Sequence, residues 1–378
     1  MKIKNSSMAA RYENPEVVDD GSSASFTARR RRLLAAIVGI GAASLSARTR
    51  VLARTDPGPK RIDVHHHFVP GFYRDYLVSN GGPPFKWDLT ADLDDMSKNG
   101  TAAAILSITT PGYPFGSSES IRKIIRACNE EAANLRMQNP GKFGSFAAIP
   151  IIDTAGALGE IEYSLDTLKA DGIGVFTSYG DKWLGDPVFH PVYEELNRRK
   201  AVVYVHPTAP NCCANLLPRV PNEGALIEYG TDTTRSIADL VFSGTTTRFP
   251  DIKWIWSHAG GTMPFLIERF LTGAEAEVVP GILTKGQHFE LPANVPHSVL
   301  SELRKMYYDT AQTANPVALG ALRKVVPTTQ IVFGTDYWFR TTAETAQGLV
   351  SSKVFSDREL LAINRDNALR LLPRFRNV

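Results

Sequence analysis

From Arg61 onward, short runs of β-branched and aliphatic residues alternate with longer stretches whose apolar positions recur every three to four residues. The short runs predict strands over Arg61–His66, Ala102–Ile108, Phe146–Ile152, Gly172–Ser178, Ala201–His206, Ile252–His258, Lys305–Thr310 and Thr329–Thr335. The longer stretches predict helices over Leu89–Asn99, Ser118–Asn139, Ala155–Ala170, Pro187–Arg199, Ala225–Phe242, Met263–Ala276, Pro316–Val325 and Asp357–Leu372. Strands that alternate with helices imply a parallel sheet, and eight such units are the count of a (β/α)8 barrel. A doubly wound open sheet is the competing architecture.

The polar residues at the strand ends decide between the two. Five of the eight histidines and one aspartate fall there, in Ile62-Asp63-Val64-His65-His66-His67, Val205-His206-Pro207, Ser257-His258-Ala259-Gly260-Gly261 and Phe333-Gly334-Thr335-Asp336. In a barrel, catalytic groups come from the C-terminal ends of several strands. Here they come from the first, fifth, sixth and eighth.

Side chains alternate faces along a strand, so His65 and His67 point the same way and His66 points opposite. Two imidazoles on one face can chelate one divalent cation. His206 and Asp336 complete a mixed nitrogen and oxygen set, which suits Zn2+ and also accommodates Mn2+ or Fe2+. A lone strand-end histidine is ordinarily a hydrogen-bonded core residue, and it is the agreement of independent positions that argues for a site. His66 is read as packing or as a hydrogen-bonded support for the ligands. His258 precedes the glycine turn Gly260-Gly261, which lets backbone approach a ligand closely. It is the candidate acid/base or substrate-orienting group, because imidazole titrates near working pH. The other reading makes it a further ligand or a structural residue.

The first fifty-odd residues form a separate piece. Arg29-Arg30-Arg31-Arg32 precedes an apolar run from Leu33 to Leu45, then small residues to Val51-Leu52-Ala53. A charged region, a short apolar region and a Val-x-Ala site predict a twin-arginine-like export signal over residues 1–54, directing the protein to the periplasm. Residues 55–60 read as a linker and 61–378 as the barrel domain. The apolar run is shorter than the roughly 20 residues of a membrane span. A misassigned start upstream of a cytoplasmic enzyme is the alternative.

Composition narrows the classes further. Apolar residues make up 43% and charged residues 21% of the chain, which excludes disorder and collagen-like structure. The net charge is +3, with no basic stripe interleaved with aromatics, so nucleic-acid binding finds no support. Three cysteines, Cys128 and the adjacent Cys212-Cys213, offer neither a zinc spacing nor a disulfide framework. Val278–Ser298, rich in proline and glycine, interrupts the pattern and reads as a lid or an oligomer contact.

With these residues in view, the sequence resembles the amidohydrolase-related branch of the amidohydrolase superfamily, the branch of aminocarboxymuconate-semialdehyde and γ-resorcylate-type decarboxylases. The resemblance runs from about Arg61 to the C-terminus, through Asp63-Val64-His65-His66-His67-Phe68, Cys128-Asn129-Glu130, Glu160-Ile161-Glu162-Tyr163, Thr167-Leu168-Lys169-Ala170-Asp171-Gly172, His206-Pro207-Thr208, His258-Ala259-Gly260-Gly261-Thr262, Tyr308-Asp309-Thr310-Ala311 and Gly334-Thr335-Asp336. It implies that His65, His67, His206 and Asp336 are the metal ligands and that His258 is the active-site base or orienter. Binuclear hydrolases of the superfamily place a carboxylated lysine at the end of strand four, where this chain has Val175-Phe176-Thr177-Ser178, so one metal is implied. The muconate enzymes carry arginines before the tryptophan that precedes the first helix. Here Ser79–Lys86 holds only Lys86, which implies a mono-carboxylated aromatic substrate. Arg269 matches a substrate-binding arginine that can cross a dimer interface, so a homodimer is implied. Arg235 and Tyr179 are further candidates for substrate contacts, and Phe68, Tyr179 and Trp338 for walls of a flat site.

The activity so implied is metal-dependent, non-oxidative decarboxylation of a small hydroxybenzoate such as 6-methylsalicylate, releasing CO2 and a phenol. Asp336 would deliver a proton to the ring carbon that bears the carboxylate, with His258 tuning its charge. A mononuclear hydrolase of a lactone, ester or amide uses the same ligands, with His258 activating water. A catalytically inactive exported binding protein is disfavoured, because every predicted site position holds a competent residue.

Overall fold

The computed structural model describes residues 60–112, 117–208, 210, 224–275 and 299–378. Each predicted strand run overlaps one strand of a single parallel sheet, although that expected as Phe146–Ile152 lies earlier, at Phe143–Ala148, and that expected as Thr329–Thr335 is only Ile331–Val332. In chain order these are β1 (Arg61–His67), β2 (Thr101–Ser107), β3 (Phe143–Ala148), β4 (Gly172–Phe176), β5 (Val202–His206), β6 (Lys253–Trp256), β7 (Tyr307–Asp309) and β8 (Ile331–Val332). Neighbours in sequence are neighbours in the sheet, as Gly174↔Tyr204 between β4 and β5 and Tyr204↔Ile255 between β5 and β6 illustrate. The sheet then closes on itself. Val64 N donates to Phe333 O at 3.0 Å and Asp336 N to His65 O at 2.8 Å, so the last strand is stitched to the first. The result is the (β/α)8 barrel.

The helices wrap this sheet. After β1 come α1 (Gly71–Ser79) and α2 (Leu89–Asn99); α3 (Ser118–Gln138), α4 (Thr154–Glu162) and α5 (His190–Arg198) follow β2, β3 and β4. After β5 come α6 (Tyr229–Phe242) and α7 (Thr245–Arg248), after β6 α8 (Ile267–Glu275) and α9 (Val299–Lys305), and after β7 α10 (Pro316–Val325). The chain ends with α11 (Thr342–Ser352), α12 (Asp357–Leu361) and α13 (Asn367–Leu371).

Strand parity sorts the core into layers. On β5, Val203 and Val205 join Val192, Leu196 and Leu240 beneath the helices. Val202 and Tyr204, of opposite parity, join Phe146 and Ile255 inside the barrel, where Tyr204 and Phe146 stack at 5.3 Å. His206 shares the parity of Tyr204. The strand that ends in it therefore delivers an imidazole to the open end of the barrel interior.

Several helical expectations are corrected. The run expected as Ala155–Ala170 is α4 plus a π-helical turn, Tyr163–Thr167, and that expected from Ala225 begins with a π-helical turn, Gly224–Glu228. Asp357–Leu372 is not one helix: the π-helical turn Ala362–Asp366 separates α12 from α13. The cause is that Ile363 O accepts from Phe333 N at 3.0 Å, so a helix carbonyl is given to the barrel instead. The helix expected from Met263 starts at Ile267, after turns through Gly261–Leu266. A two-residue hairpin, Ser178–Tyr179 with Lys182–Trp183, is additional. The expected export signal, the linker before Lys60, the Cys212-Cys213 pair and Val278–Ser298 lie outside the described residues. Among the described residues, no helix is long and apolar enough to cross a membrane.

Candidate metal centre

Alternation along β1 places the His65 and His67 rings together, 4.8 Å between centroids, and turns His66 away onto Tyr337, which stacks on it at 4.7 Å. His206 arrives from the end of β5, its ring 5.2 Å from His65 and 4.6 Å from His67. Asp336 arrives from the loop after β8. One ligand atom from each of His65, His67, His206 and Asp336 lies within 4.8 Å of the others, and all four residues are buried.

The hydrogen bonds on the far side of each ring determine what faces inward. His67 Nδ1 meets Ser107 O at 3.3 Å and His206 Nδ1 meets Pro207 O at 2.9 Å. A carbonyl oxygen only accepts, so both Nδ1 atoms carry protons and both Nε2 atoms present lone pairs. His65 Nδ1 donates to Asp309 Oδ2 at 2.7 Å, which fixes the same tautomer. Facing lone pairs then stand close: His65 Nε2 is 3.0 Å from His67 Nε2, and Asp336 Oδ1 is 3.2 and 3.1 Å from the two. Asp336 Oδ1 is buried with no hydrogen-bond donor of its own. Converging lone pairs repel unless a proton or a metal cation lies between. The donor set therefore fits a single divalent metal.

The electrostatics agree. Burial and the adjacent imidazoles hold His206 well below the usual histidine range, and burial likewise lowers His67. Neutral imidazole is the form that binds metal. Burial also opposes charge on His65, but Asp309 and Asp336 outweigh it and pull its pKa up to about 10, so the cleft draws positive charge, and a proton on Nε2 is what a divalent cation would replace. Burial would raise Asp336 too, yet His65 beside it and the hydrogen bond from His258 hold it well below the usual carboxylate range.

Two features were not foreseen from sequence. Asp309, at the end of β7, holds His65 and also accepts from the backbone N–H of His258 at 2.8 Å and of Ala311 at 3.0 Å. Its signal was available, since it is a strand-end acid. The second is a buttress behind β1. His66 spans Asp63 Oδ2 at 3.0 Å and Asp92 Oδ1 at 2.8 Å, Trp87 Nε1 donates to Asp92 at 2.9 Å, and Asp63 takes the N–H and hydroxyl of Thr335 at 3.1 and 2.6 Å. That network ties α2 to the loop carrying Asp336.

His258 lies beside the cluster, its Nε2 3.2 Å from Asp336 Oδ2. Its backbone is left-handed, φ 52°, as are those of Ala259 at 56° and Asp336 at 66°. Non-glycine residues held in this region carry strain of about 1–3 kcal/mol each, a recurrent property of functional sites. Gly261 is required by contact: a Cβ there would fall 2.1 Å from Gly230 O.

His206, His258 and Asp336 form the floor of a pocket walled by Phe85, Phe176, Tyr179, Tyr229 and Phe339. Tyr179 is thus in the wall, where its hydroxyl accepts from Phe176 N at 2.9 Å. The other two candidate contacts are elsewhere. Arg235 pairs with Glu228 at 3.2 Å and Arg269 is exposed on α8; neither lines the pocket. Phe68 and Trp338 pack in the cluster around α1 and α3 rather than in the wall. Among the described lining residues the one Lys or Arg is Lys182, which is held by Asp186 at 3.1 Å.

A family model described as amidohydrolase matches residues 62–374. The chain is 34% identical over 334 residues to a 6-methylsalicylic acid decarboxylase of Aspergillus aculeatus, covering 84% of this chain and 97% of that one. It is 38% identical over 288 residues to the 6-methylsalicylic acid decarboxylase of Penicillium expansum, covering 73% and 84%. Among solved structures, the 5-carboxyvanillate decarboxylase of Sphingomonas paucimobilis superposes with a TM-score of 0.72 at 21% identity, covering 83% of this chain and 99% of that one, a likeness of fold.

Proposed function

The chain belongs to the amidohydrolase family, and on that premise we propose that it is a metal-dependent carboxy-lyase that removes CO2 non-oxidatively from a small hydroxybenzoate of the 6-methylsalicylate type. The observation that carries this reading is the buried His65, His67, His206 and Asp336 cluster, of which His206 and Asp336 line an aromatic-walled pocket. The similarity to decarboxylases of 6-methylsalicylic acid over most of the chain favours carbon–carbon cleavage over hydrolysis. Among the described lining residues the one Lys or Arg is Lys182, which favours a substrate with one carboxylate.

When bound, a divalent cation supplies positive charge against which the carboxylate and ortho-hydroxyl oxygens of the substrate are held and developing negative charge is stabilised. The rest falls to the chain. Phe85, Phe176 and Phe339 flank the pocket and present faces and edges to a flat ring. Asp336 Oδ2, beside His258 Nε2, is the atom assigned to pass a proton to the ring carbon bearing the carboxylate; because its surroundings hold it ionised, it takes that proton up from solvent once the substrate's negative charge lies against it. That carbon becomes tetrahedral. Its bond to the carboxylate then breaks, CO2 leaves, the electron pair returns to the ring, and Asp336 is left ionised. His258 acts by holding Oδ2 and balancing its charge.

Zn2+ is the proposed occupant, since three imidazoles and one carboxylate suit its borderline character; Mn2+ is the alternative. A homodimer and export through the Arg29–Arg32 segment complete the proposal. Sedimentation tests the first, and retention in the cytoplasm of a folded reporter fused to residues 1–55 removes the second. The reaction itself is tested by incubating the purified, metal-analysed protein with a panel of hydroxybenzoates beside lactones and esters. Phenol release abolished by a chelator supports the proposal. Turnover of the esters alone replaces it with the hydrolase.

A further inference from the structure

The two oxygens of Asp336 have different surroundings. Oδ1 points between His65 Nε2 and His67 Nε2, at 3.2 and 3.1 Å, and has no hydrogen-bond donor. Oδ2 faces the pocket and takes two hydrogen bonds, one from His258 Nε2 at 3.2 Å and one from the side-chain amide of Gln312. Gln312 is three residues beyond Asp309, in a turn braced by the Ala311 N–H on Asp309 Oδ1 at 3.0 Å. Its backbone is left-handed, φ 53°, and it lines the pocket beside His258 and Asp336. An unbranched, uncharged side chain is thus held in strained backbone with its N–H group on one carboxylate oxygen.

A carboxylate beside a metal ion can bind through one oxygen or through both. Rotation about the Cβ–Cγ bond of Asp336 is all that separates the two modes. Both donors hold Oδ2 away from the imidazole cleft, and Gln312 does so without charge and without a proton to lose. We propose that Gln312 is a positioning residue that keeps Asp336 a one-oxygen ligand, with Oδ1 for the metal and Oδ2 for the substrate. The inference rests on the metal-site reading above. It makes the amide of Gln312 a condition for a free carboxylate oxygen in the pocket, and so links the loop after β7 to the reaction.

The test uses full-length protein loaded with Co2+, whose visible absorption weakens as coordination number rises. Gln312→Leu removes the amide and keeps the bulk; Gln312→Glu keeps the shape but sets an acceptor against Oδ2. Both variants are expected to bind one Co2+ with unchanged apo-protein melting temperature, to show weaker visible absorption, and to lose 10–100-fold in kcat with KM changed less than threefold. That range is usual for groups that orient a metal ligand. Wild-type spectra and kcat within twofold in Gln312→Leu overturn the assignment, as does loss of bound metal, which would make Gln312 a requirement for assembling the site. Wild-type protein that takes up no Co2+ overturns the metal-site reading itself and this inference with it.

Discussion

Replacing Asp309 with asparagine should weaken the metal centre without dismantling the loops around it. Asp309 Oδ1 accepts from two backbone donors, His258 N at 2.8 Å and Ala311 N at 3.0 Å. An asparagine must therefore direct its carbonyl oxygen there, and its NH2 group falls opposite His65 Nδ1, where Oδ2 now accepts at 2.7 Å. Two donors cannot face each other, so His65 has to move its proton to Nε2. Nε2 is the atom 3.0 Å from His67 Nε2 and 3.2 Å from Asp336 Oδ1, the position a cation would occupy. Binding then requires the unfavourable tautomer. Loss of such an orienting partner typically weakens affinity 10–100-fold, about 1.4–2.7 kcal/mol. Competition against a chelator of known affinity measures it, with circular dichroism as the control for fold. Affinity within twofold of wild type would refute the tautomer argument.

Other consequences follow from the same geometry. His206→Ala should lose stoichiometric metal and all turnover, whereas His258→Ala should keep the metal and lose activity at least 100-fold; metal analysis beside kinetics separates them, and metal loss in His258→Ala would make that residue a ligand. Gly334→Ala should cost about 1–3 kcal/mol of stability and weaken metal binding, since a Cβ there would meet His65 Cβ at 2.8 Å and Asp309 Cβ at 3.0 Å; an unchanged urea midpoint argues against it. Glu195, hydrogen-bonded by Arg198 and, against the effect of burial, by Arg199, has its pKa lowered from 4.5 to about 2. A depressed carboxylate pKa stabilises the fold above pH 4.5, and that contribution is lost as pH falls from 4.5 toward 2. Screening around exposed Arg198 limits it to about 1 kcal/mol. Glu195→Gln should therefore melt below wild type at pH 7, and the gap should narrow at pH 3.5; a gap that widens there would contradict the sign.

The barrel was legible because each strand is a run such as Val202–His206, and parity alone placed His65 and His67 on one face. Helix ends were harder to read, because π-helical turns answer to distant partners, as the carbonyl of Ile363 does to Phe333 N. Helix α11 carried a readable signal that went unread, the capping box of Thr341 and Glu344. Within the site, the members of the cluster could be found as acids and histidines at strand ends, and Asp309 obeys the same rule. Gln312 obeys none: it is uncharged, lies in a loop, and acts through a turn geometry that periodicity does not encode. Arg235 and Arg269, proposed for their charge, are not among the described residues that line the pocket. Their helices direct one to Glu228 and the other to the surface.

The most direct measurement is a metal titration of stripped, full-length protein, following CO2 release from 6-methylsalicylate against bound metal. The account predicts no CO2 from the metal-free protein and a linear rise that ends at one equivalent per chain. Decarboxylation by the metal-free protein, or a rise that continues to two equivalents, would contradict it.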